Sequence, residues 1–207
     1  YGRGSIDRPG LEACEKEKDG LRRLSGERIR AELIRLLAAP GAGASVAVMG
    51  QIGILAVVLG VAPDVPSFVR LTEIEAAAGR LADPVLRLAA LALPAANPAE
   101  LKDRLRLSSI EAERLARLSR EAFDIGKAIS RQAARAAIYR RGAAGFTDAL
   151  LTAWARSPDA ADDAIWRSLV ALAAQWQPPV LALRGADLLA RGVKPGPRVG
   201  QLLAAFE

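Results

Sequence analysis

The chain has 207 residues, of which 51% are apolar but only 4% aromatic, so its core must consist mainly of Ala, Leu and Val side chains. The absence of histidine excludes Ser–His–Asp and Cys–His catalysis and His-containing zinc sites, and the single Cys14 excludes an internal disulfide and fits a reducing cytoplasm. The net charge of +6 indicates a polyanionic partner, or else the base composition of a GC-rich genome.

The first 40 residues predict two charged helices. Pro9 is well placed at a helix start, and a helix follows over residues 10–19. Ser25 is an N-cap for the second helix. Glu27 and Arg30 are three residues apart on its polar face, so they can pair. Its apolar face consists of Ile29, Leu33, Leu36 and Leu37.

The most apolar stretch is 46–62, interrupted by three glycines and Gln51. Its length is at the lower limit for a membrane span. The glycines instead predict two short buried helices that meet at Gly53, followed by a turn at 63–66.

Caps and helix breakers predict the remaining helices. Ser108 and Glu111 form a capping box, and Gly126 and Gly142 bracket the helix after that one. The expected helices cover 67–81, 83–93, 98–107, 109–125, 127–141, 143–156, 164–176 and 198–206. The inner side of the helix after Ser108 is expected to carry Ile110, Leu115, Leu118, Ala122 and Ile125. Because no run alternates convincingly with period two, we predict an all-α fold, an elongated array of short helices without a significant sheet.

Basic residues concentrate in 102–141, which contains eleven of them and five acidic residues, an excess equal to the net charge of the chain. Lys127, Arg131 and Arg135 follow one another at i, i+4 and i+8 and form one stripe. Such a stripe can follow a phosphate backbone or can be an ordinary solvated face. With little aromatic interleaving, reading of shape or backbone is expected rather than base stacking.

The segment Gly185–Gly200 predicts two short helices around a Pro195-Gly196-Pro197 turn. Glycines beside a helix N-terminus expose backbone N–H groups to a phosphate, and Lys194 and Arg198 flank this turn. The alternative is a helical pair that only packs the terminus. The acidic residues within 157–163 are a much weaker candidate, for a hard cation.

Two patterns near the ends of the chain carry a family resemblance. Residues 25–33 read S-x-E-R-I-x-x-E-L, and residues 185–200 read G-x-D-L-x-x-x-G-x-x-P-G-P-x-x-G. They resemble the neck helix and the tail of class II tRNA nucleotidyltransferases, the CCA-adding enzymes, and of bacterial poly(A) polymerases. The resemblance implies a neck-like helical domain at 1–62, a body-like helical domain at 63–178 and a tail helix–turn–helix at 179–207.

The resemblance implies that no catalytic residue lies in this chain. The family's catalytic head carries a Gly-Ser loop, a D-x-D pair for two metal ions and an E-D-x-x-R segment, and we find none of these here. Mg²⁺ with CTP or ATP is expected for that head, and no cofactor or metal for this part. The chain opens at Tyr1, so we expect it to be a piece of a longer enzyme, inactive alone.

Two sets of residues are predicted to act. By the resemblance, the neck helix supports the floor of the nucleotide pocket, with Glu27, Arg28, Arg30 and Glu32 as its candidates. By charge clustering, the RNA-binding residues are Lys127, Arg131, Arg135, Arg140, Arg141, Lys194, Gly196 and Arg198.

The leading hypothesis is therefore the RNA-binding, non-catalytic portion of a cytoplasmic nucleotidyltransferase. It would hold tRNA by backbone and shape, with no DNA specificity and no membrane partner. The choice between CCA addition and poly(A) addition stays open. The alternatives are a free-standing helical nucleic-acid-binding protein and a helical scaffold that binds protein.

Overall fold

The computed structural model describes residues 7–93, 95–121, 125, 129–157, 163–179 and 184–206. Within these ranges it has α-helices, one 3₁₀ helix and no strand, which confirms the predicted all-α class. The elements are α1 (Arg8–Glu17), the 3₁₀ helix (Lys18–Arg23), α2 (Gly26–Ala38), α3 (Ala42–Gln51), α4 (Ile54–Leu59), α5 (Val65–Ala77), α6 (Pro84–Ala92), α7 (Pro98–Leu105), α8 (Ser109–Glu121), α9 (Arg131–Arg156), α10 (Asp163–Gln175), α11 (Gly185–Ala190) and α12 (Pro197–Phe206).

The contacts divide the chain into two compact units, 1–174 and 175–207. In the first unit α5 packs against α6 and α9, and α2 packs against α6 and α7. In the second unit α11 and α12 pack against each other. The three domains inferred from the family resemblance stay a prediction.

Local capping sets most helix boundaries where the sequence predicts them. Ser25 Oγ accepts from the Arg28 N–H at the start of α2. Ser108 and Glu111 form the expected capping box at the start of α8. The predicted turn at 63–66 is shorter than expected, because α5 already begins at Val65, where the side chain of Asp64 accepts from the Ser67 N–H.

The apolar stretch forms two short helices, as predicted. Gly53, between α3 and α4, has φ 79° and ψ 6°, a left-handed conformation that glycine adopts without strain. None of the described helices is long and apolar enough to cross a membrane.

The helix α9 is longer than the sequence indicates. It runs from Arg131 to Arg156, whereas two helices separated at Gly142 were expected. Gly142 nevertheless breaks the helical geometry, with φ 73° and ψ 159°, in a region that is essentially restricted to glycine. The glycine therefore kinks one long element rather than separating two.

The core of the first unit consists mostly of Leu and Ala, as the composition predicts. Trp154 and Trp166 are the aromatic exception, stacked with ring centroids 6.4 Å apart. Along α8, Leu115 and Leu118 are buried as expected. Ile110 is 81% exposed, so its assignment to the inner side was wrong. It lies on the outer side of the first turn of α8, whereas Glu111 in the same turn pairs with Arg30 of α2. Ala122 lies outside the described residues.

A buried ion pair links α5, α6 and the end of α2. Arg87 Nε lies 2.7 Å from Glu75 Oε2, and Arg87 Nη1 donates to the carbonyl oxygens of Leu37 at 2.7 Å and Ala39 at 3.1 Å. The other carboxylate oxygen of Glu75 accepts from the Asp83 N–H, at the start of α6. Burial raises the pKa of Glu75 even though Arg87 opposes this shift. The Arg87 guanidinium thus both binds the last carbonyl groups of α2 and neutralises the buried carboxylate of Glu75.

Candidate functional site

The first two turns of α2 carry the four residues predicted to support a nucleotide pocket, and three of their side chains have different partners. Glu27 Oε1 lies 3.9 Å from Arg106 Nε, at the end of α7. Glu32 pairs with Arg35 at 3.0 Å on the exposed side. Arg30 binds Glu111, so the predicted pairing of Glu27 with Arg30 is wrong. Arg30 pairs with Glu111 instead, because the packing of the helices places the Glu111 carboxylate next to two nitrogens of the guanidinium.

Arg28 and Glu32 line a groove on the surface of α2. The groove has a volume of about 340 Å³ and is otherwise almost entirely apolar. Its walls come from the 3₁₀ helix, α2, α3 and α4, with Leu24, Ile29 and Met49 among the lining side chains. Two of the four predicted pocket-supporting residues therefore face one concave surface.

The Arg30–Glu111 pair fastens α2 to the start of α8. Arg30 Nη2 lies 2.7 Å from Glu111 Oε1, and Arg30 Nε lies 3.1 Å from Glu111 Oε2. Glu111 Oε2 also accepts from the N–H and the hydroxyl of Ser108. Burial by itself would raise the pKa of Glu111, but the bonds from Arg30 and Ser108 outweigh it and lower the pKa below its ordinary value of 4.5.

Glu111→Gln is expected to lower the free energy of unfolding by about 1–2 kcal/mol at pH 7, because Gln keeps the capping box but loses the charge that binds Arg30. A lowered pKa contributes stability that is present above 4.5 and is lost as the pH falls through the folded-state pKa. The difference between the two proteins should therefore shrink as the pH falls below 4.5. Urea unfolding at pH 7 and across this acidic range measures it, with the exposed Glu113→Gln as control. A difference that is constant with pH would contradict this account.

Part of the basic segment 102–141 is used inside the fold. Arg114 binds Asp83 through both terminal nitrogens, at 3.0 and 2.6 Å, and donates through Nε to Asp148 at 2.8 Å. Burial by itself would raise the pKa of Asp83, but the bonds from Arg114 and from the Leu86 N–H outweigh it and lower that pKa. Arg114 therefore holds α6, α8 and α9 together and is not part of an RNA-binding stripe.

Other basic side chains donate hydrogen bonds to the last carbonyl groups of helices. The sequence analysis did not predict this role. Lys18 Nζ donates to the carbonyl of Ile52 at 3.0 Å, at the end of α3. Arg156 donates to the carbonyls of Ala89 and Leu93, at the end of α6, and burial lowers its pKa. The last carbonyls of a helix carry partial negative charge and have no intrahelical donor. These basic residues lie far along the chain from the helices they bind, so no local sequence pattern predicts the contacts.

The exposed cations of α9 remain available to a ligand. Arg131, Arg135 and Arg140 are exposed, and among the described residues no carboxylate lies within ion-pair distance of them. Arg140 Nε donates to the Ala136 carbonyl one turn back. Arg141 is half-buried and already engaged in an interaction. Lys127, the first member of the predicted stripe, lies outside the described residues.

The second unit presents a basic concavity. The turn between α11 and α12 lines a space of about 640 Å³ together with the side chains of Arg191, Lys194 and Arg198. Gly192 and Gly196 have φ 86° and 149°, which lets the chain reverse between the two helices. The predicted residues Lys194, Gly196 and Arg198 thus lie together, and the structure adds Arg191.

One aspartate of the predicted acidic turn lies within the described residues, and it forms hydrogen bonds with side chains of the protein. Asp163 Oδ1 accepts from Trp154 Nε1 and from Arg70 Nη2, both at 2.8 Å. Asp159 and Asp162 lie outside the described residues. In the described part of the chain, no group of three or more Cys, Asp or Glu side chains could hold a metal ion.

Comparison with known proteins shows a match to a family and a similarity to solved structures. Residues 5–67, which include α1–α4, match a family described as the probable RNA and SrmB-binding site of polymerase A. The fold is similar to that of a CCA-adding enzyme solved in complex with CTP, with a TM-score of 0.67, 16% sequence identity, and coverage of 97% of this chain and 50% of that chain. This chain thus spans about half the length of that enzyme. No curated protein matches it. The predicted resemblance to the C-terminal part of CCA-adding and poly(A) polymerase-like proteins is confirmed.

Proposed function

We propose that this chain is the RNA-binding, non-catalytic portion of a nucleotidyltransferase that adds or repairs the 3′ CCA end of tRNA. It would hold the tRNA in the cytoplasm while a catalytic head, with Mg²⁺ and CTP or ATP, performs the addition. The observation that carries the proposal is the match of residues 5–67 to an RNA-binding-site family. The similarity in fold to a CCA-adding enzyme over 97% of the chain agrees with it.

The distribution of exposed cations supports an RNA partner. In the first unit Arg131, Arg135 and Arg140 are exposed on α9, and in the second unit Lys194 and Arg198 flank a glycine turn. Lys127, Arg141 and Gly196 complete the proposed RNA-binding set. Arginine's planar fork binds a phosphate through two nitrogens, and each such contact releases counterions from the nucleic acid. We propose that these groups follow the backbone of the RNA rather than its bases.

The first two turns of α2 are proposed to support the nucleotide pocket. Glu27, Arg28 and Glu32 are exposed there and can face a neighbouring domain. Arg30 would act through its bond to Glu111, which holds the helix in place.

A poly(A) polymerase is the second candidate, favoured by the family's own description, which names polymerase A. The two functions differ in the RNA they extend, because one acts on tRNA and the other on general 3′ ends. Binding of tRNA much tighter than binding of an unstructured RNA of the same length supports the first function. Equal binding of both supports the second.

The purified chain is expected to bind tRNA with an affinity that falls steeply with salt, and to bind a DNA duplex of equal phosphate count more weakly. The double variant Arg131→Gln/Arg135→Gln should make the slope of log K against log salt shallower by about 1.5, because two phosphate contacts are lost. Fluorescence anisotropy across a salt series measures both quantities.

The control is Arg167→Gln, which removes the same kind of charge from the exposed side of α10. It should leave the slope unchanged. If it weakens binding as much per charge as the double variant does, the surface is a general polyanion binder. If the chain binds neither tRNA nor DNA at low salt, the proposal fails for this chain and the protein-binding scaffold is favoured.

A further inference from the structure

The exposed arginines of α9 lie on two flanks of the helix rather than in one row. With about 100° per residue, Arg131 and Arg135 are separated by about 40° around the axis, and Arg140 lies about 140° beyond Arg135. Gln132, Ala136 and Tyr139 fall between these flanks. Gln132 and Ala136 are exposed, and Tyr139 is half-buried and already engaged in an interaction. The opposite side of the helix is buried, with Ala134, Ala137 and Ile138 at most 4% exposed. The exposed face is therefore a ridge with a cation on each side.

We infer that this ridge, residues 131–140, docks across the minor groove of an A-form RNA duplex, with Arg131 and Arg135 on one phosphate strand and Arg140 on the other. The inference rests on the proposed function and adds the surface and the part of the RNA that it contacts. The inference is based on the presence of cations on both flanks of the ridge. A single strand would need only one row of cations, whereas a duplex has two phosphate strands.

The burial of α9 selects the groove. A helix with side chains is about 10–12 Å across, and B-form DNA admits one into a major groove about 8.5 Å deep. Half of α9 is packed into the protein, so the helix cannot enter a deep groove. The minor groove of A-form RNA is wide and shallow and displays the 2′-hydroxyls, whereas that of B-form DNA is only about 6 Å wide. The half-embedded ridge fits the shallow groove alone.

Two of the residues between the flanks suit contact with the groove. Ala136 projects only a methyl group, and its carbonyl accepts a hydrogen bond from Arg140 Nε at 3.3 Å. Gln132, one turn before Ala136, carries an amide that can both donate to and accept from a 2′-hydroxyl. A larger group at Ala136 would lift the ridge away from the groove.

The test is Ala136→Leu, measured with an RNA hairpin duplex, the DNA hairpin of the same sequence and a single-stranded RNA. Leu is a good helix former, so the variant should fold. We expect about ten-fold weaker binding of the RNA duplex with an unchanged salt slope, because approach is blocked while the charges remain. The control is Ala144→Leu, an exposed alanine on the same helix beyond the kink, which should leave affinity unchanged. Arg140→Gln should lower the salt slope by about 0.7–0.9.

The inference is overturned if Ala136→Leu binds the RNA duplex as the Ala144→Leu control does, or if the unmodified chain binds DNA duplex or single-stranded RNA as tightly as the RNA duplex. Binding of tRNA that is insensitive to Ala136→Leu would overturn only this docking mode. Loss of all RNA binding in the unmodified chain would overturn the proposed function as well.

Discussion

Arg87→Met is expected to lower the free energy of unfolding by about 3–5 kcal/mol at pH 7, because it leaves a buried carboxylate without its counter-ion. Arg87 and Glu75 are 5% and 2% exposed, and the guanidinium also donates to the carbonyls of Leu37 and Ala39. One substitution thus removes the ion pair and the C-terminal closure of α2. Urea unfolding followed by circular dichroism measures the loss.

The matched control is Arg35→Met, which removes an arginine from the exposed pair with Glu32, where the side chains are 63% and 60% exposed. Exposed pairs contribute at most about 1 kcal/mol, so this variant should remain close to the unmodified chain. The double variant Arg87→Met/Glu75→Gln should recover part of the loss, since no buried charge remains. It should not recover all of it, because the carbonyls of Leu37 and Ala39 still lack their donor.

The loss in Arg87→Met should also depend on pH. Burial already raises the pKa of Glu75 above 4.5, and removal of the guanidinium that opposes this shift raises it further. A raised carboxyl pKa contributes stability that is fully present below 4.5 and is lost as the pH rises through the folded-state pKa. The variant should therefore approach the unmodified chain below pH 4.5, where Glu75 takes up a proton. If the loss is the same at pH 7 and below pH 4.5, it comes only from the carbonyl groups of Leu37 and Ala39, which lose their donor.

Gly26→Ala is expected to lower the free energy of unfolding by about 1–3 kcal/mol, although alanine is the better helix former. A Cβ at position 26 would lie 2.5 Å from the backbone oxygen of Arg104 and 3.0 Å from Cγ of Arg106. Arg106 has φ 52° and donates its N–H to the Lys102 carbonyl, so the end of α7 is fixed. The start of α2 would have to move instead, and Glu27 would move with it. Thermal and urea unfolding measure the cost.

Gly43→Ala is the control for this prediction. Gly43 lies in α3, and a Cβ there would meet no atom within 4 Å. The change should therefore raise stability by a few tenths to about 1 kcal/mol, since only helix propensity is altered. If Gly26→Ala raises stability in the same way, α2 and α7 do not approach as closely as the structure shows.

The helices could be predicted from the sequence because their signals are local. Ser25, the Ser108–Glu111 capping box and Gly53 each act on backbone groups within four residues, so the sequence order alone indicates where α2, α8 and α4 begin. The family resemblance was equally readable, since it rests on contiguous patterns at 25–33 and 185–200.

The roles of individual charges could not be predicted in this way. Arg30 and Glu111 are 81 positions apart, and Arg114 and Asp83 are 31 apart, so nothing along the chain distinguishes these arginines from the exposed ones at 131 and 135. The burial of one face of α9 likewise depends on which helices surround it.

The sequence by itself therefore determined the all-α class, most helix boundaries and the excess of positive charge. The class and the boundaries follow from hydrogen bonds and periodicity within a few residues, and the charge follows from composition. Only the tertiary structure decided which cations neutralise buried carboxylates, which close helix ends and which remain on the surface for a ligand. That division depends on distances between side chains far apart in the chain, which are fixed only when the helices pack.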